Sequence, residues 1–356
     1  MSISRSGAPR GRTSRACRGR KIIPPRVWRE PHEHFSVALQ DPWYRAISGM
    51  LATIYHATND FFRARRILPA LTPITCGSVS SPMAMGSDSL PVQISLFGRK
   101  VFLADSMQFQ LEYILRQGHF GVYYVMPTFR GEDPGVRHLN QFFHAEAEVC
   151  CGHEELMALI EEYLRTLGAA LLAGHAAEIA GAAGTCAHIE RLCKKSWTIP
   201  RLSFKEAVSL LADDDRCFSS LPGGLKTISP FGERSLLEHC GGVAWVKRPP
   251  HPLVPFYQAY DSDRITAKSA DLLMGIGEVV GSGERHTSYE NLTQALGEHR
   301  VDPAEYAWYL RMKKEHPLRT SGFGLGLERF LLWVLKHDDI RDIPIFTRLK
   351  GEECCP

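Results

Sequence analysis

Residues 128–149, TFRGEDPGVRHLNQFFHAEAEV, collect side chains able to grip a charged, planar ligand. Arg130, Arg137 and His138 flank a turn at Asp133-Pro134-Gly135, where guanidinium forks can clamp phosphates bidentately. Phe142 offers an aromatic face for stacking a base, and Glu132, Glu146 and Glu148 bring carboxylates close to it. The even spacing of 142, 146 and 148 puts those side chains on one face of a returning strand. Charge alone is equally well met by a solvent-facing hairpin.

Residues 271–285, DLLMGIGEVVGSGER, carry Asp271 and Glu278 in an extended region, with Arg285 seven positions further on. Paired carboxylates are the usual means of holding Mg2+ that stays bound to triphosphate oxygens. Such spacing also arises by chance. Ser106 and Gln108 open the run SMQFQLE at a helix start, where a serine can equally serve as an ordinary cap.

The run SGFGLGLERF, residues 321–330, joins a glycine-alternating strand to Glu328, Arg329 and an apolar helix. Alternate glycines leave one strand face bare, so a flat ligand can lie against the backbone there. Arg329, leaving the strand at the helix start, can reach over it. Close packing on a neighbouring strand is the other use of such glycines.

The elements that must position these groups are legible from periodicity. Residues 42–60 have helical apolar spacing and lead into an extended stretch, 66–74, with Pro73 near its end. Residues 92–102 alternate as a strand pair turning at Gly98, 107–116 form a helix and 121–129 a strand. Residues 152–183 are helical, in one or two pieces, and Ser203 caps a short helix over 203–212. Residues 213–235 are loop-rich, and strands return near 256–260 and 277–280. Hairpin strands with helices inserted between them specify an α+β fold on an antiparallel sheet.

The chain of 356 residues has no apolar run long enough to span a bilayer. Residues 1–29 hold nine Arg or Lys and no acid, which leaves 33 basic against 39 acidic side chains in the remainder. The body is therefore mildly acidic, a poor general nucleic-acid binder by charge. Residues 1–40 are expected to be a basic, disordered tail ahead of a domain over 41–356. The tail is open to three uses: an organellar import signal, an RNA-touching arm, or a solvated extension. Ten cysteines show no metal spacing, and neither Cys150-Cys151 nor Cys354-Cys355 can chelate zinc tetrahedrally. Reduced thiols in a cytoplasmic protein are the simplest expectation.

Taken together, the three runs resemble motifs of the class II aminoacyl-tRNA synthetases, in the aspartate/asparagine branch and closest to its asparaginyl members. SGFGLGLERF resembles motif 3. FRGED, RHL and E-x-E resemble motif 2, whose pattern is FRAE…RHL…EFW…E-x-E. The helix and proline-ended strand over 42–74 resemble motif 1, which implies a homodimer. The resemblance implies an antiparallel sheet flanked by helices, with ATP and Mg2+ bound at residues 130–329. Arg130 and Arg329 would be catalytic. ATP would meet Arg130, Glu132, Arg137, His138, Phe142, Asp271, Glu278, Gly326 and Arg329, with Asp271 and Glu278 holding the metal. The amino acid would meet Ser106, Gln108, Glu146 and Arg285.

The chain departs from the pattern at Gln141, at GSGER in place of GGSxRE, and at Arg319-Thr320, where proline and histidine usually stand. Leu111 stands where aspartyl members carry a lysine, which points to an asparaginyl-type pocket. The resemblance begins near residue 43, with no OB-fold for the anticodon ahead of it. The expectation is therefore an AMP-forming ligase that activates asparagine or aspartate and passes it to ammonia or another small amine. tRNA is the less favoured acceptor, and a non-catalytic regulatory paralogue is the third reading. No membrane partner is expected.

Overall fold

Phe323 and Leu325 point to one side of the glycine strand and are buried, which leaves its glycines facing the other side. That division organises the molecule: the helices Pro42–Ala64 and His153–Ala183 cover one face of a large sheet, while the other face carries the helix Gln108–Leu115 at one end, the helices Phe204–Leu211 and Pro230–His239 at the other, and polar side chains between them. The computed structural model describes residues 21–81, 89–221 and 224–353.

In chain order the elements are α1 (Pro31–Gln40), α2 (Pro42–Ala64), β1 (Leu68–Pro69), β2 (Thr75–Cys76), β3 (Val92–Leu96), β4 (Arg99–Leu103) and α3 (Gln108–Leu115). Then come β5 (Gly121–Phe129), β6 (Gln141–Val149), α4 (His153–Ala183), α5 (Ala187–Cys193), β7 (Arg201–Ser203), α6 (Phe204–Leu211), β8 (Phe218–Ser220) and β9 (Lys226–Ile228). The last part holds α7 (Pro230–His239), β10 (Val243–Lys247), β11 (Ser269–Met274), β12 (Gly277–Glu284), α8 (Tyr289–Glu298), α9 (Ala307–Glu315), β13 (Ser321–Gly326) and α10 (Leu327–Leu335). The main sheet has eight strands in the order β1-β5-β6-β13-β12-β11-β10-β7. Only its two outer pairings, β1 with β5 and β10 with β7, are parallel. The antiparallel expectation therefore holds for the six strands from β5 to β10, which include the five that carry the site.

The helical face is built on α2 and α4. Asp41 accepts a hydrogen bond from Trp43 N at 2.7 Å, and Pro42 occupies the first turn, so α2 starts sharply. Its Ile47, Met50, Ile54 and Phe62 are buried against Leu156, Ile160, Tyr163 and Leu164 of α4. Burying each such side chain is worth about 1.5–3 kcal/mol. Phe62 and Tyr163 reach Phe323, so this layer clamps β13 from behind.

Three sequence expectations change. Residues 256–260 form isolated bridges, Gln258 with Arg285 and Tyr260 with Ala267, and not a strand. Pro249, Pro250, Pro252 and Pro255 interrupt any ladder there. The loop-rich stretch 213–235 contains the β8–β9 pair and the start of α7. The ordered body also begins before residue 41: Trp28 Nε1 donates to Asp342 Oδ1 at 2.9 Å, and α1 packs beside α2. Residues 1–20 of the basic tail and Cys354-Cys355 lie outside the described residues.

Candidate active site

The β5–β6 hairpin, β13, β12 and β11 present their open face to two adjoining cavities of about 190 and 300 Å³. Arg130, His144, Glu278 and Gly324 line both cavities and form the junction.

The smaller cavity gathers Arg130, Glu132, Arg137, His138, Phe142, Glu278, Gly326 and Arg329. The expectation that one face carries alternate residues of β6 holds here, since Phe142 and His144 line this cavity and Glu146 and Glu148 the next. The Arg130 guanidinium lies 5.9 Å from the Phe142 ring centre. Arg329 Nη1 donates to the Glu278 carbonyl at 2.8 Å, and its Nη2 to the Arg137 carbonyl at 3.2 Å. Burial, with Arg137 and Arg130 close by, lowers the Arg329 pKa from its usual value against the opposing pull of Glu278.

Several polar atoms in this cavity are buried with no hydrogen-bond partner: Arg130 Nε, Glu132 Oε2, Arg137 Nε and Arg137 Nη1. Leaving such groups unpaired costs about 1–3 kcal/mol each. The three guanidinium nitrogens belong to two arginines that line the same cavity, which suits that wall to an anionic partner.

Asp271 and Glu278 converge above Gly281: a Cβ there would sit 2.8 Å from Glu278 Oε1 and 3.8 Å from Asp271 Oδ1. Burial, together with Glu278 and Glu233, pushes the Asp271 carboxyl well above the usual carboxylate range. A divalent cation would relieve this crowding. Among the described residues no group of three or more His, Cys, Asp or Glu could hold a metal alone. The pair therefore fits an ion that takes its other ligands from phosphate oxygens.

In the larger cavity, Ser106 Oγ donates to Glu146 Oε2 at 2.6 Å and accepts from Gln108 N at 3.1 Å. The serine is thus both a cap and a site residue. Gln108 lines this cavity, and its Nε2 donates to Glu112 Oε1 at 3.1 Å. Glu112 is fully buried and also accepts from Tyr309 Oη at 2.7 Å and Lys313 Nζ at 2.5 Å. Arg285 Nε and Nη2 both bind Glu148 Oε1, and Arg285 Nη1 donates to Gln258 Oε1 at 3.0 Å. Glu148 Oε2 is buried with no partner. Burial pushes the Glu148 carboxyl up to about 7, with Arg285 pulling the other way. Leu111 adds no charge to this wall.

The glycine strand is used in two ways. Gly324 and Gly326 line the smaller cavity, as expected for a ligand-facing strand. At Gly322 the bare face is filled from within, because a Cβ there would overlap the Glu148 carboxylate and lie 2.7 Å from Arg285 Nη2. Every residue expected at the site therefore lines one of the two cavities. His144, Glu148 and Gln258 are additions to the lining, and Glu112, Lys313 and Glu233 stand behind it, Glu112 with Lys313 holding Gln108 and Glu233 holding Arg137. Of these only Glu148 carried a sequence signal, its shared strand face with Glu146.

Residues 33–350 match the family of class II tRNA synthetases of the D, K and N type. Asparaginyl-tRNA synthetase from Mus musculus is 32% identical over 267 residues, 71% of this chain and 55% of the mouse protein. The chain thus spans little more than half the length of that relative. The fold resembles asparaginyl-tRNA synthetase from Pyrococcus horikoshii complexed with asparaginyl-adenylate, with a TM-score of 0.81 and 25% identity over 91% of this chain and 73% of that one. It also resembles the Entamoeba histolytica asparaginyl-tRNA synthetase in complex with asparaginyl-adenylate, with a TM-score of 0.75 and 22% identity over 91% and 71% of the two chains.

Proposed function

The chain belongs to the class II tRNA synthetase family of the D, K and N type, and from that premise we propose that it activates asparagine as an aminoacyl-adenylate and transfers it to tRNA. The observation that carries the reading is that Arg130, Arg137 and Arg329 line one cavity with Phe142, and that Arg130 and Arg137 carry buried donors without partners. ATP fills that cavity with its base on Phe142 and its phosphates between Arg130, Arg137 and Arg329.

Asparagine takes the adjoining cavity. Its ammonium group meets the Gln108 carbonyl and the Glu146 carboxylate. Its side-chain carbonyl accepts from Arg285, and its amide donates to the unpartnered Glu148 Oε2. Aspartate fits poorly, because its second carboxylate would face Glu148 with one guanidinium already neutralised and Leu111 in place of a second cation.

The asparagine carboxylate oxygen attacks the α-phosphorus, the bond to the bridging oxygen breaks, and pyrophosphate leaves with that electron pair. No general base is required. Arg130, at the junction, can touch both the carboxylate and the α-phosphate, so orientation and charge neutralisation supply the catalysis. Asp271 and Glu278 would hold Mg2+, which lowers the cost of charge developing on the leaving phosphates. A ribose hydroxyl of the tRNA end then attacks the adenylate carbonyl and AMP departs.

Ammonia as the acceptor, favoured by the sequence alone, has no feature of the site in its support, whereas the relatives are synthetases that act with tRNA. Asparagine-dependent AMP release tests the choice. Stimulation by tRNA and not by ammonia is expected; stimulation by ammonia alone would reverse it.

A further inference from the structure

Glu233 reaches Arg137 from α7, a segment that the sequence marked as loop. Ser229 Oγ accepts from Gly232 N at 3.1 Å, and Gly232 sits so close to the Cys217 carbonyl that a side chain would overlap it. The first turn of α7 is thereby seated in place, and with it the Glu233 carboxylate. Glu233 Oε2 accepts from Arg137 Nη2, with 19% and 13% of the two side chains exposed. Gly277, whose φ of 140° suits glycine alone, closes over the pair, since a Cβ would overlap both Arg137 Nη2 and Glu233 Oε2. Only one guanidinium nitrogen is thus engaged. The other two, Nε and Nη1, are buried without a partner, and Arg137 itself lines the cavity.

We propose that Glu233 is a positioning residue that holds Arg137 through Nη2 so that its guanidinium stays at the wall of the cavity, set to meet the terminal phosphates of ATP. This rests on the reading of the cavity as an ATP site. A planar guanidinium on a long stem loses rotamer freedom when it binds, and an ion pair formed beforehand reduces that loss at the moment of binding. The opposite role, a latch that withholds Arg137 from the ligand, predicts the reverse sign.

Calorimetric titration of the full chain with α,β-methylene-ATP and with AMP, both in magnesium buffer, separates them. Glu233→Ala is expected to weaken the triphosphate analogue by about tenfold or more while changing AMP by no more than about twofold. In an Arg137→Ala background the same change should add nothing, because the two residues act through one contact. Unchanged or tighter analogue binding, or an equal loss for AMP, overturns the proposal. If Glu233→Ala does not fold, Glu233→Gln keeps the acceptor and the shape and should give a partial loss. A parent protein that binds the analogue in this pattern yet catalyses no pyrophosphate exchange leaves the positioning role standing and removes the adenylation reading. A parent that binds no triphosphate overturns both.

Discussion

Glu148 Oε1 takes two donors from Arg285, Nε at 2.7 Å and Nη2 at 2.5 Å, and its Oε2 is left buried with none. An acceptor held open beside an already neutralised guanidinium is complementary to a carboxamide. Glu148→Gln should therefore raise the KM for asparagine by about tenfold to a hundredfold and narrow the preference over aspartate. Steady-state exchange with both amino acids checks this, and an unchanged ratio would remove Glu148 from the recognition.

Arg130 and Arg329 line the smaller cavity from different elements, one from the β5–β6 hairpin and one from the start of α10. Arg130→Ala and Arg329→Ala should each lower the rate of pyrophosphate exchange by more than about a hundredfold, as loss of a charge-stabilising donor does. Exchange retained in either variant contradicts the role given to that residue.

The glycine strand should report its two uses separately. Gly322→Ala forces the Glu148–Arg285 pair apart, so it should raise the KM for asparagine and lower stability by about 1–3 kcal/mol. At Gly326 the nearest atom to a new Cβ is 3.9 Å away, so Gly326→Ala should keep its melting temperature and raise the KM for ATP only. Thermal melts and the two KM values check the pair. A loss of stability equal at both positions would refute the division.

Glu328 accepts from Phe143 N through both oxygens, at 3.1 and 3.0 Å, and burial pushes its carboxyl up to about 7. Its ordinary value of 4.5 applies in the unfolded chain. Between these two values the folded state holds the proton more tightly, so stability falls as pH rises from about 4.5 to about 7 and this group adds nothing further above. The span is on the order of 3 kcal/mol. Glu328→Gln should accordingly gain melting temperature relative to the parent at pH 8 compared with pH 5. An identical difference at both pH values would show no such titration.

The residues that touch the cavities were legible because each lies in a short string whose chemistry is local: FRGED and RHL around one turn, FGLGLER along one strand. What was not legible pairs distant positions. Glu148 and Arg285 are 137 residues apart, Glu112 and Lys313 are 201 apart, and Arg137 and Glu233 are 96 apart. No periodicity links such pairs; only strand order brings them together. The helix holding Glu233 was hidden because Pro230 and Gly232 read as loop punctuation, whereas they start α7 at its first turn. The strand expected over 256–260 failed for the converse reason: its β-like composition lies within a proline cluster.

The central claim is that the paired cavities form asparaginyl-adenylate. Asparagine-dependent exchange of labelled pyrophosphate into ATP, measured with tRNA left out, tests it most directly. Exchange with asparagine at least about tenfold above that with aspartate is expected, the discrimination of about 1.4 kcal/mol that one satisfied against one opposed charged group provides at minimum. Exchange with neither amino acid, or faster exchange with aspartate, would contradict it.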